Sequence, residues 1–473
     1  MSPVIGIVGG GAAGVLAATG FIRAAGQAAQ RHEIVIIDPR TTLGGGAAYS
    51  TPESRHLLNV PAGRMGAYPD APDDFVTWLR SHGHPEVGAT DFVARAWFGD
   101  YLAATLDHSV NETGTTAMRL RDRVVGMSRT AAGIELTLGS GLVRAVDAAV
   151  LAVGNLGPRI AWAPDALLRA DRFVADPWAP RALDPLEGAR SILLVGTGLT
   201  MVDVALVLAR RGRSLTAISR SAALPHTHRV EPAPPIPAPK TLTQHSDFAA
   251  LRAAVIDHIG LCADQCGDWR PAFDGLRPVT AQLWGRLTDE GRARAIGETS
   301  SCWNRHRHRM PPQSGDEIEQ LIGDGLLRIK AGEVRTASAT QAGLDVGLSD
   351  GSAMAVDAVV NCTGQETDLR RVCDPLITSL FESGTARPGP VGMGLDTTAD
   401  GQILDRDGQA VPGVYTLGAT RVGTLWESTA IPEIRAQAAV VGASIAHQTS
   451  AVPTSARRQW TSGSGSAAGA RAV

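Results

Sequence analysis

The sequence contains no cysteine before position 262. The five that follow, Cys262, Cys266, Cys302, Cys362 and Cys373, form neither a Cys-x-x-Cys pair nor a zinc-type spacing. A disulfide framework and a structural zinc are thereby excluded as organising devices, and buried thiols are expected instead. Lysine is nearly absent, occurring only at 240 and 330, so almost every cation is arginine. We read this as base composition rather than as selection for anion binding. A net charge of −3 over 473 residues gives no electrostatic case for nucleic acid or an anionic membrane as partner. Long apolar runs are missing too: none reaches the roughly 18 to 20 residues of a membrane-spanning helix. The first apolar run reads as a strand rather than a signal peptide, which makes the cytoplasm the expected location.

What is present in abundance is glycine, 53 residues in a chain that is 44% hydrophobic, a composition suited to an α/β protein of two or three domains. The glycines are not scattered. Residues 4–8 form a short apolar run that stops at Gly9-x-Gly11-x-x-Gly14, an Ala-rich helix follows over 12–26, and Asp38 closes a second apolar run at 33–37. That is the layout of a dinucleotide-binding βαβ unit. Gly9 permits the tight turn, Gly11 lets backbone approach a pyrophosphate, and Gly14 lets the helix lie close on the sheet. The phosphates then meet the free N–H groups at Ala12 and Ala13, where the helix dipole favours an anion. Asp38 is expected to accept hydrogen bonds from ribose hydroxyls. Pro39, Arg40 and a second glycine cluster at 43–49, with Gly46 at its centre, would run along the same cofactor.

Further along, a loop-like stretch covers 55–65, and a helix over 75–79 is headed by Asp73 or Asp74 as cap. A β-meander is expected over 118–153, delivering the turn at Gly154 to the cofactor. A second nucleotide unit opens at Ser191 with Gly196-x-Gly198-Leu199-Thr200-Met201. Met201 replaces the third glycine, so this helix should stand off its strand. After the next strand comes Ser219-Arg220, where an NAD site would carry an acid; an arginine there can pair with the 2′-phosphate of NADP. NADPH is therefore expected over NADH. An insertion over 225–320 interrupts the unit, with helices around 249–259 and 279–295. It ends in the run Trp303-Asn304-Arg305-His306-Arg307-His308-Arg309, whose alternating cations either hold a phosphate or an acidic substrate or form a solvated, salt-bridged face; the histidines have no metal spacing. A strand over 355–361 leads to a turn at Thr363 and Gly364, and another precedes Gly418. Ser428 or Thr429 should cap the helix containing Pro432. Beyond about 448 the composition is that of a disordered tail.

Two nucleotide units in one chain, the second between halves of the first, resemble flavoprotein oxidoreductases with two dinucleotide-binding domains. The motifs Gly9–Gly14, His56-Leu57-Leu58-Asn59-Val60-Pro61-Ala62, Phe98-Gly99-Asp100-Tyr101-Leu102, Gly196–Asp203, Ser219-Arg220, Leu276-Arg277-Pro278, Trp284, His306–Arg309 and Leu425-Trp426-Glu427-Ser428 are similar to those of NAD(P)/FAD-binding proteins related to FAD-dependent urate hydroxylase and aspartate N-monooxygenase. The resemblance implies two Rossmann-like domains: 1–160 and 355–447 for FAD, and 187–354 for NADPH, with the insertion at 225–320. It places Val125 against the adenine and Asn59 through Arg64 near the isoalloxazine ring, and makes Asn59, Arg64, Trp426 and Glu427 candidate catalytic residues. No protein nucleophile is needed, because reduced flavin and O2 generate the oxygenating hydroperoxide. The lack of a redox dithiol in the first hundred residues disfavours disulfide reduction.

The expected activity is NADPH-driven hydroxylation of a small nitrogen-bearing metabolite, an amino acid foremost. The alternatives are a reductase or oxidase that passes electrons to a quinone, an imine or O2, and a non-catalytic flavin-bound subunit or redox sensor. The substrate pocket is expected between the insertion and the turn at 426–428, with Arg277, Arg305, Arg307, Arg309 and Ser428 as its polar lining. A homodimer is a further expectation.

Overall fold

The computed structural model describes residues 2–26, 32–130, 133–341 and 343–451. Two parallel sheets carry the chain. The first has six strands in the order Gln402–Leu404, Ala410–Thr416, Ala148–Leu151, Val4–Val8, Glu33–Ile37 and Thr116–Leu120, with only the 402–404 edge antiparallel. Its central strands are apolar throughout because both faces are covered, one by helices and the other by the antiparallel strands of 124–146 together with the helix Pro375–Glu382. Ile5, Ile7, Ile34 and Ile36 are at most 1% exposed. The helix Ala12–Ala25 lies on this sheet and packs along the C-terminal helix Ile431–Ala451, burying Phe21, Ile22, Val441 and Ile445 between them.

The second sheet has five parallel strands, in the order Leu327–Ala331, Ser214–Ser219, Ser191–Val195, Ala358–Asn361 and Phe173–Val174. Each unit also carries a three-stranded antiparallel sheet, Val124–Thr130 through Val143–Val146 in the first and Val334–Ala339 through Ala353–Val356 in the second. The fold is thus an α/β pair of Rossmann-like units, the second inserted in the first.

Several boundaries differ from the sequence reading. Ala358–Asn361 pairs with Ser191–Val195, so the chain re-enters the first unit after residue 361 rather than at 355. Phe173–Val174 belongs to the second sheet as well, ahead of the expected start at 187. An apolar run followed by a glycine turn occurs in both units, and nothing local says which sheet will accept it. The meander is limited to 124–146, since Thr116–Leu120 and Ala148–Leu151 join the parallel sheet. Pro312–Gly323 packs on Leu199–Leu208 and leads into Leu327–Ala331, so it is part of the second unit rather than of the insertion.

The inserted helices Phe248–Cys266, Arg270–Gly275, Thr280–Arg286 and Asp289–Arg307 enclose a small core of their own around Leu251, Phe273, Leu276 and Trp284. The helix expected over 279–295 is broken at Leu287, and Thr288 restarts it by accepting a hydrogen bond from the Gly291 N–H. The C-terminal helix runs through Ala451, past the 448 at which a tail was expected; the rest of that tail, 452–473, lies outside the described residues. Cys262 and Cys362 are buried as expected, whereas Cys266, Cys302 and Cys373 are exposed.

The units are joined twice. The two connecting segments run side by side, with Arg159 N donating to Gly364 O at 3.0 Å and Glu366 N to Gly157 O at 2.9 Å. Beside them, Arg95 of the first unit pairs with Asp203 of the second at 2.8 Å, both nearly buried. The His56 Nε2–H donates to the Asp203 carbonyl at 3.1 Å while Nδ1 accepts from the Thr51 hydroxyl at 2.8 Å, an arrangement that fixes the ring tautomer.

Candidate functional site

The first glycine turn is built as the sequence requires. Gly9 has φ +103, open to glycine at little cost, and a side chain there would run into the Ala152 carbonyl. A Cβ on Gly14 would overlap the Gly9 carbonyl oxygen, so helix and strand touch backbone to backbone. Gly11 caps the helix without any side-chain hydrogen bond, leaving the N–H groups of Ala12 and Ala13 at an anion-binding terminus. Gly46 lies over Gly11, a Cβ on it falling 3.2 Å from Gly11 Cα, and Gly44 N donates to Gly10 O at 2.8 Å. Asp38 is buried and already engaged: its carboxylate accepts from Gly10 N and Arg40 N, both at 2.7 Å. It ties the turn to the Pro39-Arg40 loop, and its remaining lone pairs are what it can offer a ribose. At Val125 the antiparallel ladder shifts register, which takes that residue out of regular pairing where an adenine contact was expected.

The second turn is looser. Gly196 has φ +113 and abuts the Cys362 carbonyl, but nothing lies within 4 Å of a Cβ placed on Gly198 or Gly364; Gly154, which follows a strand of the first sheet, is equally open. Gly198 also caps its helix without a side-chain bond, with Leu199 and Thr200 next. Met201 is fully buried, and the helix beyond it opens with a tight turn, Met201 N reaching Gly198 O at 3.0 Å. At the end of Ser214–Ser219 the Ser219 hydroxyl accepts from Thr197 at 2.9 Å. Arg220 is exposed there and makes no ion pair among the described residues. Thr363 Oγ1 donates to Asn361 Oδ1 at 2.8 Å beside Gly364. Both cradles fit a dinucleotide pyrophosphate: each presents an uncapped helix terminus behind a glycine whose side chain would obstruct it.

Between the units, the insertion closes on the turn at 423–433. Trp426 has φ 63 and ψ −62, and Glu427 N donates to Leu425 O at 2.8 Å. This is a γ-turn of a strained kind, costly for a bulky residue and found mostly where surrounding structure enforces it. The enforcement comes from the insertion: the Trp284 ring stacks on Trp426 at 4.7 Å, and Trp284 Nε1 donates to Gly423 O at 2.7 Å. Glu427 points its carboxylate at Trp303 Nε1, 2.7 Å away, and forms an ion pair with Arg307, whose Nε is 3.2 Å away. Arg277 forms a two-pronged pair with Glu433, one arm at 2.5 Å, and Arg309 pairs with Asp274.

The electrostatics follow from this crowding. Burial pushes the Glu433 carboxyl up, but the hydrogen bonds and charge of Arg277 more than offset it and leave the group below its usual range. Burial, with Arg309 adding to it, pushes the His228 imidazole down to about 3, so this ring is neutral. Its Nε2–H donates to the Asn59 carbonyl at 3.1 Å, holding the loop of the first unit against the insertion. Burial likewise lowers His308, next to Arg307.

The candidate residues Asn59, Arg64, Arg277, Arg307, Arg309, Trp426 and Glu427 are therefore gathered at one junction. Arg277, Arg307 and Arg309 do not stand free to clamp a ligand, since Glu433, Glu427 and Asp274 neutralise them. Glu427 is engaged as well, its side chain only 8% exposed. Arg305 is half-buried with an unpartnered Nε, and Ser428 is 1% exposed with a hydroxyl that finds no partner. Ser428 does not cap the last helix, nor does Thr429; Ala430 O accepts from Glu433 N and Ile434 N. Asp73 occupies a cap position without a capping bond, and Asp74 instead accepts from the Tyr101 hydroxyl at 2.7 Å. Gly418 N donates to Gln437 Oε1 at 3.0 Å. Sequence reasoning missed Asp274, His228, Trp303 as a donor, and Glu433. Their partners lie from 35 to 169 residues away, so no local pattern marks them. Among the described residues no His, Cys, Asp and Glu cluster could hold a metal, and no helix is long and apolar enough to cross a membrane.

Residues 6–156 match the family model for FAD-NAD(P)-binding proteins. No curated protein matches the chain. Among solved structures it is similar to the reduced form of ornithine hydroxylase from Pseudomonas aeruginosa, with TM-score 0.61 at 18% identity, covering 94% of this chain and 99% of that one. It is similar to L-lysine 6-monooxygenase from Pseudomonas syringae, with TM-score 0.60 at 16% identity over 95% and 100% of the two chains. Thioredoxin reductase from T. acidophilum aligns with TM-score 0.50 at 11% identity over 94% and 98%. The chain has the fold of flavoproteins with two dinucleotide-binding domains, and its first unit is an FAD-NAD(P)-binding domain.

Proposed function

We propose that the protein is an oxidoreductase that binds FAD in the first unit and NADPH in the second, and acts as a monooxygenase on the nitrogen of a small polar metabolite, an amino acid foremost. The observation that carries this reading is the pair of glycine cradles meeting at a junction lined with hydrogen-bond donors and closed by the insertion. The activities of the two hydroxylating neighbours support it, and the absence of cysteine from the first 261 residues argues against dithiol exchange at the flavin.

Bound FAD would supply hydride acceptance and, once reduced, activation of O2. The chain's own residues do the rest. Gly9, Gly11 and Gly14 with Asp38 hold the first nucleotide, and Gly196, Gly198 and Ser219 with Arg220 hold the second. His228 fixes the Asn59 loop, while Trp284, Trp426 and Trp303 exclude water from one side of the junction. Glu427 and Glu433 keep Arg307 and Arg277 in place, and Glu433, held below its usual range by Arg277, has no proton to give.

Anaerobic mixing with NADPH should bleach the flavin, and turnover under 18O2 with an amino-acid panel should place label in the product. Bleaching without label would make the protein an electron-transferring reductase or oxidase; no bleaching by either nicotinamide would remove both readings.

A further inference from the structure

The junction has more donors than acceptors. Five guanidinium groups gather there, those of Arg64, Arg277, Arg307, Arg309 and Arg435, against three carboxylates, those of Asp274, Glu427 and Glu433. His228 and His308, the titratable rings facing them, are held neutral by burial and add no charge. Arg229 and Arg270, at the edge, share Asp268. The surplus also shows atom by atom. Arg307 Nε and Nη2, Arg309 Nε and the Ser428 hydroxyl are buried without an aligned hydrogen-bond partner, on residues 9%, 4% and 1% exposed. Among the described residues no buried carboxylate oxygen is left over in the same way. Orphaned buried donors are costly, and a missing acceptor is the simplest explanation.

Four of the five cations are committed. Arg277 forks onto Glu433, Arg307 sits between Glu427 and Glu433, Arg309 holds Asp274, and Arg435 Nη1 donates to Gly66 O at 2.7 Å. Arg64 alone has a guanidinium with no hydrogen bond or ion pair among the described residues. Its backbone is not loose: Arg64 N donates to Pro61 O at 3.0 Å, while Ala62 N donates to Asp91 O and Gly63 N to Ala89 O, each at 2.8 Å. The residue is exposed, yet partial burial, with Arg277 and Arg307 close by, holds it below the usual arginine value.

We infer that Arg64 is the residue that recognises a carboxylate on the substrate. This rests on the proposed substrate class but not on oxygen transfer. A guanidinium suits the role because its fork matches a carboxylate in two-point geometry, which an ammonium cannot reproduce.

The test is binding, read by calorimetry and thermal shift on the flavin-loaded protein without NADPH, with acetate, succinate and glutarate as probes and succinamide as the uncharged control. At least one dicarboxylate should bind and succinamide should not. Arg64→Ala should weaken that binding by about tenfold or more, with Arg64→Lys in between. Arg335→Ala, on an exposed pair far along the chain, should leave it unchanged and reports on non-specific charge. Binding that is equal in wild type and Arg64→Ala, or no carboxylate binding by the folded wild type, overturns the assignment. Carboxylate binding through Arg64 with no label from 18O2 would leave the assignment standing and remove the monooxygenase reading instead.

Discussion

The two glycine turns have the same pattern and different workmanship. In the first, Gly14 touches the strand, Gly46 covers Gly11, and Asp38 ties turn to loop. In the second, a buried methionine stands where the third glycine would be, Gly198 faces open space, and the exposed Arg220 replaces the acid. A tightly covered cradle suits a nucleotide that stays with the protein through folding and turnover. An open one suits a nucleotide that must leave after each hydride. We read the difference as resident FAD in the first and exchanging NADPH in the second.

The sharpest way to break that contrast is to place one methyl group in each turn. In Gly14→Ala the new carbon overlaps the Gly9 carbonyl, and backbone cannot yield as a side chain would. The purified protein should carry little or no flavin, read as the ratio of flavin-band to protein-band absorbance, with a lowered Tm. In Gly198→Ala the methyl meets nothing within 4 Å and the backbone angle is ordinary. Flavin content and Tm should hold, while KM for NADPH rises by about tenfold as the methyl blocks the close approach of the pyrophosphate. Equal flavin loss in both variants would mean that the two cradles are not specialised.

A smaller effect is expected at Met201, which is fully buried among Ile192, Leu194 and Ala205. Because the side chain fills the space between helix and strand that Gly14 leaves closed, Met201→Ala should create a cavity and cost about 2 to 5 kcal/mol in denaturant unfolding. Flavin content should be unaffected. A neutral result would show that the second helix can settle onto its strand, making Met201 a tolerated replacement rather than a spacer.

The βαβ fingerprints were legible in the sequence because their glycines and the acid stand at fixed spacings behind apolar strands, even though Gly9 meets Ala152 and Asp38 meets Gly10 across the fold. The junction was legible only as a list of charges. Arg277, Arg307 and Arg309 looked like ligand clamps since their carboxylates, Glu433, Glu427 and Asp274, are distant along the chain and carry no signal of pairing. The γ-turn at Trp426 was invisible for a related reason. No residue preference encodes it, and it persists because Trp284 from the insertion stacks on it. The strand Ala358–Asn361 was misassigned because apolar strands ending in glycine turns serve both sheets alike.

The smallest expected effect separates the two nucleotides by a single group. Arg220 stands exposed at the end of Ser214–Ser219 with no ion pair of its own among the described residues, so removing it strands no buried partner and should not alter Tm. If it pairs with the 2′-phosphate, Arg220→Ala loses one charge-assisted contact worth about 1.5 to 3 kcal/mol. KM for NADPH should rise about tenfold or more while that for NADH stays nearly constant. Stopped-flow reduction of the bound flavin by each nicotinamide measures both without needing a substrate. Equal losses with NADPH and NADH would make Arg220 structural. Were NADPH hardly affected, the 2′-phosphate must be met elsewhere; with Arg307 and Arg309 committed to Glu427 and Asp274, Arg305 is the cation of that run left to meet it.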